Sequence, residues 1–196
     1  MKLLKESFYQ RNNVVSIARE LLGKCLFTKF GGKTTGGMIV ETEAYSYREK
    51  GCHAYQNRMT LRNKVMFSNG GLAYVYLCYG IHHLFNVVTN LEGEADAVLI
   101  RALEPIQGLE VMMKRMQTHS PKRITAGPGK LTKALGIDRK HNGMELRSDN
   151  LWIADTGKVI KRKEIVSSRR IGIDYAGKDA LLPWRFSLQD NPWISK

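Results

Sequence analysis

The first clear pattern of apolar and polar positions lies at residues 13–23, where apolar side chains recur at the three- and four-residue spacing of an amphipathic helix. Asn13 stands where a helix is capped, and Gly23 stands where one ends. The next apolar segments, 25–30 and 34–45, flank Gly31-Gly32, a composition typical of a tight turn between two strands. The pattern therefore predicts a helix followed by a β-hairpin.

Patterning typical of strands returns further along the chain, at 72–79, 81–89 and 96–103. Three strands in succession favour an antiparallel meander, with a turn at Tyr79-Gly80. Pro105 suits the first turn of a helix that continues through Met116, and a second helix is predicted at 127–136. Short strands between turns are predicted last, at 151–154, 158–166, 169–173 and 184–188.

Between residues 46 and 71 the apolar periodicity disappears, and Arg48, Arg58, Arg62 and Lys64 stand among Asn, Gly and Ser. This composition predicts a long surface loop, and loops of that length are usually functional or disordered. No internal repeat or linker divides the chain. We therefore expect one α+β domain spanning residues 1–196, with a curled antiparallel β-sheet, a protruding β-hairpin and flanking helices.

The charge of the chain indicates a polyanionic partner. Its 196 residues include 31 Lys and Arg against 18 Asp and Glu, a formal net charge of +13. Nucleic acid is the most common explanation of such an excess, and a membrane surface is a weaker one. No run of eighteen apolar residues occurs, and charge interrupts the N-terminus before a signal peptide could form, so we expect an intracellular protein.

The three cysteines are widely spaced and form no CxxC pair, which argues against a disulfide framework and against a structural zinc site. Cys52-His53 and His82-His83 are the only clusters that invite a metal assignment. Adjacent side chains on an extended chain point to opposite faces, so we predict no metal and no cofactor.

Two acids share one face of the strand that ends at residue 45. Side chains alternate along a strand, so Glu41, Glu43 and Tyr45 lie on the same side. Arg101 lies in another apolar strand, where an arginine is rarely buried without a partner, and we propose that it pairs with Glu43. The alternative is that both acids are ordinary surface residues and that Arg101 reaches solvent; pattern alone favours this alternative.

Several polar and aromatic residues could meet a nucleic acid. Tyr79, at the predicted hairpin tip, could wedge into stacked bases, or its ring could simply pack against the protein, as is more common for Tyr74 and Tyr76 within a strand. Asn86 lies inside an apolar strand and needs hydrogen-bond partners if it is buried. His53 follows Glu43 by ten residues, so proximity is possible but not required by the spacing.

The chain resembles the alkyladenine (methylpurine, or 3-methyladenine) DNA glycosylase family over nearly its whole length. The order and spacing of several uncommon motifs agree. They are Val40-Glu-Thr-Glu-Ala-Tyr45, Cys52-His-Ala54, Arg62-Asn-Lys-Val-Met-Phe67, Ala73-Tyr-Val-Tyr-Leu-Cys-Tyr-Gly80, Phe85-Asn-Val-Val88, Arg101-Ala-Leu-Glu-Pro105, Gly127-Pro-Gly-Lys-Leu131, Arg170-Ile-Gly-Ile-Asp-Tyr-Ala-Gly177 and Asn191-Pro-Trp-Ile-Ser195.

This resemblance implies a role for each candidate residue. Glu43 would be the general base that activates water, and Arg101 would help to hold that water. An aromatic pocket for a flipped base would consist of Tyr45, His53 and Tyr76. Tyr79 would fill the space that the base leaves, and Asn86 would obstruct the exocyclic amine of normal guanine. The chain departs from the family pattern at Met59-Thr60-Leu61-Arg62, where a proline is usual before the arginine.

The resemblance also implies the reaction. A monofunctional glycosylase would excise alkylated or deaminated purines, of the 3-methyladenine, hypoxanthine and ethenoadenine type, and leave an abasic site in base excision repair. We expect it to act as a monomer on double-stranded DNA, without a membrane, in the bacterial cytoplasm or nucleoid or in a eukaryotic nucleus. Without the motifs, the charge and the tyrosines would suggest a non-catalytic RNA-binding or ribosome-associated protein.

Overall fold

The structure is a computed structural model and describes residues 1–195. One open antiparallel sheet of nine strands forms its centre, with helices packed against it, so the predicted α+β class is confirmed. The strands are β1 (Lys2–Leu3), β2 (Cys25–Phe30), β3 (Lys33–Tyr45), β4 (Ala73–Cys78), β5 (His82–Thr89), β6 (Asp96–Gln107), β7 (Leu151–Asp155), β8 (Ile165–Ser168) and β9 (Arg185–Leu188). The α-helices are α1 (Glu6–Tyr9), α2 (Val14–Glu20), α3 (Leu109–Met116) and α4 (Pro128–Leu135).

Strand β3 organises the sheet because it pairs with three neighbours. Its first half pairs with β2, its second half pairs with β9, and β6 runs along its other edge. The remaining order is β1-β7-β2-β3-β6-β5-β4, with β8 attached to β9. The predicted meander of β4, β5 and β6 is therefore confirmed. The acidic end of β3 lies in the middle of the sheet, between β6 and β9.

Local sequence accounts for the first two elements. The Asn13 side chain accepts a hydrogen bond from the Ser16 N–H at 2.9 Å and caps α2, as predicted. Val14, Ile17 and Ala18 are buried on the helix face that packs against the sheet. Gly31 and Gly32 have φ values of 58° and 71°, the left-handed conformation that a tight hairpin turn requires. The predicted hairpin of β2 and β3 is confirmed.

The predicted helix start at Pro105 is wrong. Strand β6 continues to Gln107, and α3 begins only at Leu109. Pro105 pairs with Gly37 beside a register shift in β3, and it lies beyond the part of β6 that pairs with β5. Proline is tolerated there because this part of β6 is not paired with strands on both sides, so the missing N–H breaks no hydrogen bond in the middle of the sheet.

The predicted long surface loop at 46–71 is wrong in part. It contains two 3₁₀ turns, Tyr55–Asn57 and Lys64–Phe67. Four of its side chains are buried in a second apolar cluster, against β4, β5 and the start of β6. They are Cys52, Ala54, Met66 and Phe67. Their apolar spacing follows short turns rather than a helix or a strand, so no periodicity marks them.

Two of the late strand predictions also need correction. In the segment predicted as a strand at 158–166, residues 162–164 form a 3₁₀ turn and the strand begins at Ile165. The segment predicted at 169–173 is irregular, and a 3₁₀ segment follows it at Asp174–Leu181. The other two predictions, at 151–154 and 184–188, correspond to β7 and β9. Across residues 1–195, none of the helices has the length and apolar character needed to cross a bilayer.

Candidate active site

A cavity of about 680 Å³ opens beside the acidic end of β3. Strands β4, β5 and β6, the start of α4 and the segment 171–175 contribute to its walls. The sheet brings these parts together, since β6 lies between β3 and β5. Six of the seven residues selected from the sequence line the cavity: Tyr45, His53, Tyr76, Tyr79, Asn86 and Arg101.

Glu43 is fully buried and lies behind the part of the cavity wall that Tyr45, Arg101 and Ile171 form. Its Oε1 accepts a hydrogen bond from the Ile171 N–H at 2.8 Å and lies 3.3 Å from the Arg101 guanidinium. Its Oε2 accepts a hydrogen bond from the Tyr45 hydroxyl at 2.8 Å. A carboxylate offers about four acceptor positions, so these two hydrogen bonds and the ion pair with Arg101 leave at least one position for a further donor such as a water molecule.

Arg101 bridges both acids of β3. Its Nε donates to Glu41 at 3.0 Å while another nitrogen faces Glu43. Burial by itself would lower the pKa of Arg101, but Glu43 and then Glu41 outweigh that effect and raise its pKa. The proposed pairing of Glu43 with Arg101 is present in the structure. The alternative of two solvent-facing acids is contradicted, because both carboxylates are buried.

The aromatic residues form one side of the cavity. His53 and Tyr76 meet edge to face with ring centroids 4.6 Å apart, and Tyr74 lies behind Tyr76 at 5.3 Å. The Tyr74 ring is buried in the second apolar cluster, as its strand position suggests, while its hydroxyl lies 2.9 Å from His53 Nδ1. The Arg62 guanidinium lies 5.0 Å from the centroid of the Tyr76 ring. The wall therefore offers both a flat aromatic surface and a fixed imidazole.

The ionisation of two wall residues is shifted. Loss of bulk hydration, and then the nearby Arg62, lower the pKa of His53 to about 4, although the residue remains open towards the cavity. His53 is therefore neutral at pH 7. Burial, and then the Glu43 carboxylate, raise the pKa of Tyr45 well above its usual value. The Tyr45 hydroxyl thus stays protonated and can donate to Glu43.

Asn86 and Tyr79 lie on the same hairpin, formed by β4 and β5. Asn86 is buried and donates from its side-chain amide to the Tyr74 carbonyl at 3.1 Å, so it has the hydrogen-bond partner that its position requires. Tyr79 is 85% exposed at the hairpin tip. Its φ is 49° and that of Gly80 is 74°, so two successive residues are left-handed. A bulky residue rarely adopts that conformation, which costs about 1–2 kcal/mol. The ring is held away from the protein.

Three supporting residues were not identified from the sequence. Ile171 contributes only its N–H, which any residue except proline could supply. Asn63 is buried and donates to the His53 carbonyl at 2.9 Å, which holds the backbone at the cavity. Arg185 lies beside Glu41 at 2.6 Å. The polar character of Asn63 and Arg185 was visible in the chain, but neither residue type signals a site without its neighbours.

Comparison with known proteins places the chain in a family. Residues 7–192 match the family model described as methylpurine-DNA glycosylase. A protein of Chlamydia felis is 48% identical over 189 residues, covering 95% of this chain and 96% of its own. A protein of Carboxydothermus hydrogenoformans is 44% identical over 194 residues, covering 99% of each, and one of Clostridium tetani is 42% identical over 203 residues, covering 98% of each. All three carry the description "Putative 3-methyladenine DNA glycosylase".

The chain belongs to the methylpurine-DNA glycosylase family. The resemblance found in its motifs is therefore confirmed over almost the whole sequence. Its class of activity is hydrolysis of an N-glycosyl bond in DNA, which serves DNA repair. A DNA substrate also accounts for the charge of +13, because the backbone of DNA presents a dense row of phosphates.

Proposed function

We propose that the protein is a monofunctional DNA glycosylase that flips alkylated or deaminated purines, of the 3-methyladenine, hypoxanthine and ethenoadenine type, out of the duplex and excises them by hydrolysis. The product is an abasic site for base excision repair. The observation that carries this proposal is the buried Glu43 carboxylate, held by Arg101 and Ile171 behind an aromatic cavity, with one acceptor position left.

In this mechanism Glu43 acts as the general base. A water molecule donates to the remaining acceptor position, and Glu43 takes its proton as the water oxygen bonds to the anomeric carbon. The bond from that carbon to the purine nitrogen breaks, and its electron pair leaves with the base. The negative charge of Glu43 also stabilises the oxocarbenium-like transition state, as carboxylates do in glycoside hydrolysis. Arg101 keeps Glu43 in place and helps to hold the water.

The cavity wall suits a damaged purine. An N-alkylated purine carries positive charge, so its glycosidic bond is already weakened and the electron-rich faces of Tyr45 and Tyr76 attract its ring. A neutral His53 adds no opposing charge at pH 7. The backbone N–H of His53 has no hydrogen-bond partner within residues 1–195 and is available to the purine edge. Asn86 is assigned to obstruct the exocyclic amine of normal guanine.

The exposed Tyr79 ring is assigned to the gap in the base stack. Extruding a base costs a few kcal/mol, and a ring that enters the vacated space offsets part of that cost. The ring already projects from the hairpin tip without DNA, since Tyr79 is 85% exposed. Tyr79→Ala should therefore slow excision from duplex DNA, and unchanged activity on a duplex would remove this assignment.

The decisive experiment measures base release from duplexes that each contain one hypoxanthine, one ethenoadenine or one N-alkylated purine, with alkali-labile abasic sites as the signal. Glu43→Gln should lower the single-turnover rate by about 10²–10⁴-fold, since a general base is removed. Binding to abasic-site DNA should persist. Glu110→Gln, at an exposed position on α3, is the matched control and should behave as the wild type.

Two results would contradict the proposal. A protein that binds the duplexes but releases none of these bases would instead be a non-catalytic nucleic-acid-binding module. Trapping of a covalent protein–DNA adduct by borohydride would contradict the monofunctional mechanism. Lys130, which is exposed at the cavity rim, is the residue to examine in that case.

A further inference from the structure

Glu41, the other acid of β3, has no part in the proposed chemistry but is as fully buried as Glu43. It shares Arg101 with Glu43: the Arg101 Nε lies 3.0 Å from Glu41, and Nη1 lies 3.3 Å from Glu43. One guanidinium therefore faces two carboxylates. If Glu41 lacked other partners, it would draw Arg101 away from Glu43, and its charge would oppose a second negative charge nearby.

Glu41 does have other partners. The Arg185 Nε donates to its Oε1 at 2.6 Å. The hydroxyl of Ser195 donates to the same oxygen at 2.8 Å, and the Ser195 N–H donates to Oε2 at 2.7 Å. Two cations, Arg101 and Arg185, and one serine therefore surround Glu41. The four charged side chains, two acidic and two basic, then sum to zero.

Ser195 contacts every charged member of this group except Glu43. Its hydroxyl accepts from Arg101 Nη2 at 3.1 Å while donating to Glu41. Its carbonyl accepts from Arg185 Nη2 at 3.3 Å. A hydroxyl that accepts from one partner and donates to the other links the position of the guanidinium to that of the carboxylate. Ser195 therefore holds Arg101 in an orientation that leaves Nη1 facing Glu43.

The segment 191–195 holds Ser195 in place. Arg123 donates to the Pro192 carbonyl at 3.2 Å and to the Ile194 carbonyl at 2.8 Å. The Asn191 side chain donates to Glu104 on β6 at 2.9 Å and accepts from the backbone N–H two residues later. The segment is thus tied to the strand that carries Arg101, and Ser195 meets the charged group at a defined position.

We infer that Ser195 is a positioning residue for base excision, which satisfies Glu41 and orients Arg101 so that its Nη1 stays facing Glu43. This inference rests on the proposed function. Ser195 does not line the cavity, and it acts through Arg101 and Glu41. Its loss should therefore affect the chemical step and the pH dependence of that step, and it should leave the DNA-binding surface unchanged.

The test compares Ser195→Ala, Ser195→Thr and Arg185→Gln with the wild type in single-turnover excision of an N-alkylated purine, over a range of pH. Ser195→Ala should be slower by roughly ten-fold, the loss expected when a hydrogen bond to a charged group is removed. The pH below which the excision rate falls should be higher in Ser195→Ala than in the wild type. It should be higher still in Arg185→Gln, because the charge of Glu41 is then less compensated. Ser195→Thr keeps the hydroxyl and should restore most of the rate.

The affinity for abasic-site DNA and the melting temperature are measured for the same variants. Ser167 is an exposed serine on β8, and Ser167→Ala is the control. An active wild type and an equally active Ser195→Ala would overturn this inference alone. A slower Ser195→Ala with an unchanged pH profile would show a merely structural role and would also overturn it. A wild type that releases no purine would refute the proposed function itself, and this inference with it.

Discussion

The buried ion pair of Arg170 and Glu49 should be essential to the stability of the fold around the cavity. Two guanidinium nitrogens of Arg170 donate to the two oxygens of Glu49 at 2.6 and 2.8 Å, and both side chains are almost fully buried. The same guanidinium donates to the Ala44 carbonyl at 2.9 Å and lies 4.7 Å from the Tyr45 ring centroid. Ile171, which follows it, donates to Glu43.

Glu49→Gln removes the charge without changing the volume. The Arg170 cation then stays buried without its counter-ion, and an amide nitrogen faces a guanidinium nitrogen in place of an oxygen. Removal of one partner from a buried pair costs about 3–5 kcal/mol. The Arg147–Glu6 pair is exposed, with a distance of 2.8 Å, so the matched change Glu6→Gln should cost less than about 1 kcal/mol.

Urea unfolding at pH 7, followed by circular dichroism, measures both free energies under the same conditions. Glu49→Gln should lower the midpoint strongly with little change in slope. Its excision rate should also fall at temperatures where it remains folded, because Tyr45 and Ile171 lose their support. Equal and small effects of Glu49→Gln and Glu6→Gln on the free energy of unfolding would refute the reasoning.

Two further predictions concern the segment 46–71. The pKa of His53 is lowered to about 4, mainly by loss of hydration and then by Arg62, so below pH 6.5 the unfolded chain binds a proton that the folded protein does not. The free energy of unfolding should thus fall from pH 6.5 towards pH 4. His53→Gln should reduce that fall by about 1 kcal/mol in urea titrations, a modest effect because solvent reaches the residue. Parallel curves of this free energy against pH for the variant and the wild type would contradict the prediction. Leu61 follows Thr60 in a turn closed by the Asn63 N–H, which donates to the Thr60 carbonyl at 3.2 Å, and proline is favoured at that position. Leu61→Pro should therefore raise the free energy of unfolding by about 0.4–1 kcal/mol with no loss of activity, and a clear destabilisation would show that the turn excludes proline.

The elements that follow a regular period were predictable from the chain. The helix capped by Asn13, the Gly31-Gly32 hairpin and the meander of β4 to β6 each depend on contacts between near neighbours in sequence. Pro105 shows the limit of this reasoning. Whether Pro105 ends the strand depends on whether a neighbouring strand would accept a hydrogen bond at that position. This depends on how far β5 extends along β6.

The outcome for Glu41 and Glu43 shows why a site is harder to predict. Alternation along a strand correctly placed both on one face, and an arginine in an apolar strand correctly pointed to a partner. Local pattern still favoured a solvent-exposed face, because burial of two like charges side by side is costly. Arg101 compensates both acids, and Glu41 has two further partners, Arg185 and Ser195, which lie more than 140 residues away from it along the chain.

The class of fold, the family and the residue types available for chemistry could all be read from the amino-acid sequence, the family through its ordered motifs. Which of these residues meet depends on how the chain folds. The tertiary structure buried both acids of β3, brought Arg101 between them, added Arg185, Ser195 and the Ile171 N–H, and showed Tyr79 projecting from a strained turn. The physical reason is that periodicity reflects local backbone geometry and burial, whereas charge compensation depends on distances between strands that are far apart along the chain.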